Sequence, residues 1–337
     1  NSIDALETLP KKKIQMAVVS LDILPTPGTV FIQQLRNMPE FKYLPLCVYS
    51  EKVSDDDIFL MQELGFDNIL RPPFDREKVE GILKNILESE ESLSKTEKAL
   101  RKVERLIEED TISAAIQLLT PDVVNDKEHF LRANTLAGTV YLLIDKVDRA
   151  KEFHAKVKNE DEDYSPGRHL ESKILSAEGK HDEAIAILKD MVDISPKNLG
   201  TLLNLGSVFI DADKLDEAKE TLDQVSELDQ DNEQLKSESG KVAFKEGDMV
   251  RAKSLLSKTG QGLRLAKFFN EVAIQFVNSG DFKQGLETYD NARNLMEQSP
   301  ILYKLTYNMG LAYEKSKDLE MAFKKFVEAY LQEPSFE

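Results

Sequence analysis

Tryptophan is missing from this 337-residue chain, cysteine occurs once, at position 47, and histidine four times. A single cysteine excludes an internal disulfide and fits a reducing, cytoplasmic setting. His129, His154, His169 and His181 lack the i, i+4 spacing of a metal pair, and no glycine-rich phosphate loop, CxxC pair or GxSxG elbow occurs. Little is left to carry catalysis, so a protein without enzymatic activity or a bound cofactor is expected. Positive charge is also short: 44 Lys and Arg stand against 61 Asp and Glu, a net −17, which argues against nucleic acid or an anionic membrane as main partner. No apolar run approaches the roughly 18 residues of a membrane span, so no membrane insertion is expected, and no signal peptide opens the sequence.

What is present is a period. The segments 165–198 and 199–232 follow one another without a gap, and each reads as two amphipathic helices around a polar turn, KHDEA in one and KLDEA in the other. Ala184 and Ala218 stand at the same place in both. The two helices of a hairpin come closest there, so only a small side chain fits. Carried outward, the place is filled by Ala150, Ala252, Gly285 and Ala322, and in the least regular surroundings by Ala115. Twelve residues earlier stand Gly138, Ser172, Gly206, Gly240, Ala273 and Gly310, and nine residues earlier Tyr141, Leu175, Phe209, Ala243, Phe276 and Tyr313. A period of this length predicts a helical solenoid. The array resembles the tetratricopeptide repeat (TPR) family, with about six units over 131–337, although the tryptophan of that family's first helix is absent.

Residues 1–90 are of another kind. Short apolar runs at 16–21, 44–49 and 66–70 alternate with helical patterns at 2–9, 29–37, 54–64 and 75–89, which predicts an α/β unit with a parallel sheet. The stretch DALETL, MAVVS, Gly28 with TVFIQQLR, LPLCVYS, ELGFDNIL and PPFD resembles, without a gap, the last two thirds of a bacterial response-regulator receiver, which implies a flavodoxin-like sheet and a two-component signalling context. The resemblance also implies about 45 preceding residues.

Receivers accept a phosphoryl group on an aspartate at the end of the third strand and hold Mg²⁺ there. That register puts Ser20 at the acceptor place, with Asp22 two residues on. Ser50 keeps the hydroxyl of the fourth strand, but Pro72 replaces the phosphate-contacting lysine, Ile69 the aromatic switch residue, and Glu51 a small residue. The departures imply a degenerate pseudo-receiver, with Mg²⁺ bound only if it is active.

The segment 91–130 is charged and carries the apolar stripe Leu93, Ala99, Leu100, Val103, Leu106 and Ile107, which predicts a helical connector. Helix 112–119 reads as half of a degenerate capping repeat. A coiled-coil homodimer through the connector is the alternative.

In the TPR family the first helix of each unit lines a concave groove. The places that should face it include Arg132, His169, Lys173, Lys241, Lys245, Lys267, Asn270, Lys304 and Tyr307. Their excess of Lys and Arg in an acidic chain points to an acidic or carboxylate-bearing peptide. The expectation is an adaptor that docks one protein on the pseudo-receiver and another in the groove. A response regulator phosphorylated on Asp22 and a self-associating structural subunit are the competing readings.

Overall fold

A computed structural model describes residues 1–11, 13–66, 69–109, 111–256, 262–297 and 302–334, without the side chains of 262–264. The chain divides into two compact units, Asn1–Asn232 and Glu233–Glu337.

The first unit opens with α1 (Ser2–Thr8), a 3₁₀ turn at Leu9–Lys11, β1 (Ala17–Ser20), α2 (Gly28–Asn37), β2 (Leu46–Tyr49), α3 (Asp55–Glu63), β3 (Ile69–Leu70) and α4 (Arg76–Glu91). The strands form a parallel sheet in the order β1-β2-β3, with Ala17 beside Leu46 and Val48 beside Ile69. Leu9, Val19, Leu21, Phe31, Ile32, Leu35, Phe41, Leu44, Leu46, Val48, Leu60 and Met61 close a core of their own around it. Cys47 is buried in β2, and its thiol pKa is raised by burial. Three strands agree with the α/β pattern of the sequence but do not single out a receiver among small α/β folds. Gly28 is required where α2 begins: a Cβ there would stand 2.2 Å from the carbonyl oxygen of Ser20 and 2.5 Å from Cα of Leu21.

Helical hairpins follow. The segment after the sheet is not one continuous helix: α4 stops at Ser92, and α5 (Lys95–Glu108) restarts with Ser94 accepting a hydrogen bond from the Glu97 amide. α5 pairs with α6 (Ile112–Leu118) and packs on the array. Ala115 of α6 is fully buried, and α5 with α6 forms an opening hairpin against α8. A short α7 (Pro121–Val124) leads to α8 (Phe130–Leu143), α9 (Val147–Glu160), α10 (Ser165–Ala177), α11 (His181–Ile194), α12 (Leu199–Asp211) and α13 (Leu215–Leu228). The second unit holds three hairpins, α14 (Glu233–Lys245) with α15 (Met249–Leu256), α16 (Gly262–Ser279) with α17 (Phe282–Leu295), and α18 (Leu302–Lys315) with α19 (Leu319–Gln332).

The small residues do what their spacing demands. Ala150, Ala184, Ala218 and Ala252 are fully buried. A Cβ on Gly206 would lie 2.9 Å from Leu222, on Gly240 2.4 Å from Leu256, and on Gly310 2.6 Å from Phe326. In all three the crowding side chain comes four residues after the small residue of the second helix, so one contact joins the helices of each hairpin.

A second regularity lies in the turns. Asp145, Gly179, Asp213, Gly247, Gly280 and Lys317, each five residues before the small residue, all have positive φ, between 58° and 88°. The amide of the next residue closes a six-residue ring onto the carbonyl nine before the small residue, as in Lys214 N–H to Phe209 O (2.8 Å) and Asp318 N–H to Tyr313 O (3.0 Å). That is the Schellman closure of a helix C-terminus, which a glycine adopts without strain. Lys317→Gly should therefore stabilise the chain by about 1 kcal/mol and Gly247→Ala should destabilise it by a like amount. Urea unfolding midpoints of the two variants check both signs.

Candidate functional site

In each unit the inner face is built from the first helix of each hairpin, and the structure assigns the expected residues quite different surroundings. Arg132 on α8 is held between two carboxylates of α5, 2.6 Å from Glu97 and 2.7 Å from Glu104. Arg101 in turn bonds Glu90 at 2.6 and 2.8 Å and Glu97 at 2.7 Å. Burial alone would raise the pKa of Glu97, yet the two guanidinium groups hold it below the usual carboxylate range. Arg132 is thus committed to an internal network.

His169 on α10 accepts at Nδ1 from the Asn204 amide (3.0 Å), and its Nε2 lies 3.3 Å from Thr201 Oγ1. Burial, then the nearby Lys173 and Arg168 cations, push its pKa down to about 3, so the ring is neutral and ties α10 to α12. Lys173, one turn on, is exposed. Lys241 on α14 is buried: its ammonium lies 2.9 and 3.1 Å from the Glu238 carboxylate and 5.6 Å from the centre of the Phe268 ring. Its charge is neutralised within its own helix.

The second unit keeps a more open inner face. Asn270 on α16 accepts from Tyr289 OH (2.7 Å) and from the Asn308 amide of α18 (2.8 Å), and Lys315 donates to Asn278 (2.6 Å), so two neighbouring inner helices are tied side by side. On this floor Ile274 and Leu311 are each 41% exposed. Lys267 is exposed, and Lys245, Lys304 and Tyr307 are half-buried, the Tyr307 ring packing on Phe326. Beyond it α19 exposes Leu319, Phe323, Val327, Tyr330 and Leu331.

At the C-terminal edge of the sheet, Ser20 ends β1 and Asp22 lies in the turn beyond it. The exposed Asp22 carboxylate accepts from the Glu51 amide (2.8 Å), and Ser50 Oγ lies 3.2 Å from both of its oxygens. Asp22 thereby ties the ends of β1 and β2. Pro72 is exposed on the loop after β3. No group of three or more His, Cys, Asp or Glu arranged to hold a metal occurs among the described residues, and no described helix is long and apolar enough to cross a membrane.

Contacts between the α/β unit and the hairpins were not anticipated. Gln33 and Gln34 of α2, Lys42 and Tyr43 after it, and Asp57 and Glu63 of α3 all reach the array. The one sign in the sequence is a polar pair inside an otherwise apolar helix, VFIQQL, where Gln33 is only 5% exposed.

A family model described as Tetratricopeptide repeat matches residues 175–237, from the end of α10 into α14. No curated protein matches the chain. Among solved structures the chain is similar to that of the APC/C hetero-tetramer Cut9-Hcn1, with 18% identity and a TM-score of 0.47 over 77% of this chain and 50% of that one, so it spans about half of that protein's length. It is similar also to a tetratricopeptide repeat protein from Parabacteroides merdae (12% identity, TM-score 0.40, 71% of this chain and 93% of that one). A thermophilic TPR protein from Thermus thermophilus is a third (18%, 0.39, 70% and 99%).

The neutral His169 makes stability depend on pH with a defined sign. Unfolded, the ring takes up a proton near pH 6.5; folded, only near about 3, so the unfolded state binds more protons in between. Stability is full above pH 6.5 and falls as pH drops toward 3, by at most about 1.4 kcal/mol per pH unit from this group. His169→Gln should flatten that part of the profile, measured as urea midpoints at pH 7 and pH 4.5.

Proposed function

We propose that this chain is a non-enzymatic protein-interaction scaffold, whose inner face in Glu233–Glu337 holds an acidic protein segment with apolar anchors. The observation that carries the reading is the pair Ile274 and Leu311, apolar side chains left exposed on a floor of tied helices and bordered by Lys267, Lys304 and Lys315. Apolar contact supplies the affinity, while the lysines attract carboxylates and set the register of the bound segment. The tetratricopeptide repeat match to 175–237 supports it, since such repeats serve protein recognition. Within this reading the α/β unit is the degenerate receiver of a bacterial signalling adaptor. Its Asp22 is a structural tie: the carboxylate is occupied by the Glu51 amide and Ser50.

Two experiments test this. The 337-residue chain captures partners from extract of the native cell, and a captured segment is then titrated against wild type, Lys267→Glu/Lys304→Glu and Ile274→Asp. Each variant should weaken binding at least tenfold, about 1.4 kcal/mol, and unchanged affinity would remove the second unit's inner face from consideration. Separately, incubation with acetyl phosphate and Mg²⁺ should leave the chain unlabelled; label abolished by Asp22→Asn would make it a phosphorylated response regulator instead.

A further inference from the structure

A set of polar contacts seats the α/β unit on the hairpins of Asn1–Asn232. The Gln33 amide reads both ends of one peptide turn: its Nε2 donates to Lys197 O at 3.0 Å, and its Oε1 accepts from the Leu199 N–H at 2.8 Å, at the start of α12. Gln34 Nε2 donates to Asp229 Oδ1 at the end of α13 (3.0 Å). From α3, Glu63 accepts from the Asn198 amide at 3.0 Å and Asp57 lies 3.5 Å from the Lys197 ammonium. After α2, Tyr43 OH donates to Glu104 at 2.5 Å beneath the Arg101 guanidinium, and Lys42 pairs with Glu104 at 3.7 Å and with Glu108. Glu104 and Glu108 precede Ala115 by the same intervals at which Lys173 and Ala177 precede Ala184. They are inner-face places of the opening hairpin.

We propose that the α/β unit is a releasable intramolecular ligand of the array, displaced when a protein segment with the same donors, a side-chain amide and a lysine–tyrosine pair, takes this surface. Three features support release over permanent packing. Bonds across the contact are exchanged for bonds to water on separation, so each contributes only modestly to holding the unit in place. The match is also imperfect: Thr29 Oγ1 and Gln34 Oε1 of α2 and Ser195 Oγ of the turn it meets are buried with no hydrogen-bond partner. The break between α4 and α5 at Ser92–Ser94 supplies a joint about which the unit can swing.

The inference concerns Asn1–Asn232 and goes beyond the groove reading, so either can fail alone. The test uses hydrogen–deuterium exchange on the full chain, with one variant on each side of the contact: Gln33→Ala/Tyr43→Phe on the α/β unit and Glu108→Gln/Asp229→Asn on the array. Both should accelerate exchange at least tenfold in α3 and in residues 195–202 while β1, β2, α11 and α13 keep their protection. Acceleration below tenfold in those two segments would overturn the proposal, because the unit would then be a fixed part of the array. Loss of protection spreading into β1 and β2 would overturn it as well, because the unit would then be unfolding without release.

Discussion

The structure depends on how closely two helices of a hairpin can approach. With Gly206 against Leu222 and Gly240 against Leu256, the inner helix sits where no Cβ would fit, and buried alanines at 150, 184, 218 and 252 do the same for the outer helix. Close approach fixes the place of the turn, and the turn must close with a residue of positive φ. Glycine meets that demand at 179, 247 and 280, whereas Asp145, Asp213 and Lys317 meet it with strain. Within each unit, repeating this hairpin brings the first helices together as an inner face.

Charge then gives the inner-face places different uses. Arg132 and Lys241 occupy places that would present cations to a ligand, yet both are neutralised by carboxylates from their own unit, Arg132 by Glu97 and Glu104, Lys241 by Glu238. A cation taken out of water needs such a partner, and once paired it no longer attracts a ligand at long range. The opening hairpin goes further, presenting Glu104 and Glu108 to Lys42 and Tyr43 of the α/β unit. In the second unit Ile274 and Leu311 remain exposed on the inner face, in a chain of net charge −17.

The period and the α/β alternation were legible in the sequence because both are local. A small residue every 34 or so positions reflects a contact within one hairpin, and runs such as MAVVSL and LPLCVY show parallel strands by apolar content alone. The turn position of positive φ was less visible, since Asp, Gly and Lys share it. The candidate groove was legible as a set of places only. Whether Lys241 or Lys267 offers its charge depends on neighbours such as Glu238 and Phe268, which helical spacing does not specify.

By itself the sequence determined the hairpin, its repeat and the presence of a parallel α/β unit, because each follows from side-chain size and polarity over a few turns of chain. Tertiary structure alone decided where that unit sits. Gln33 meets Leu199 across 166 positions and Gln34 meets Asp229 across 195. Contacts that distant arise from the folded array bringing its turns to the α/β unit, and single polar side chains carry no local signal of the partner they will find.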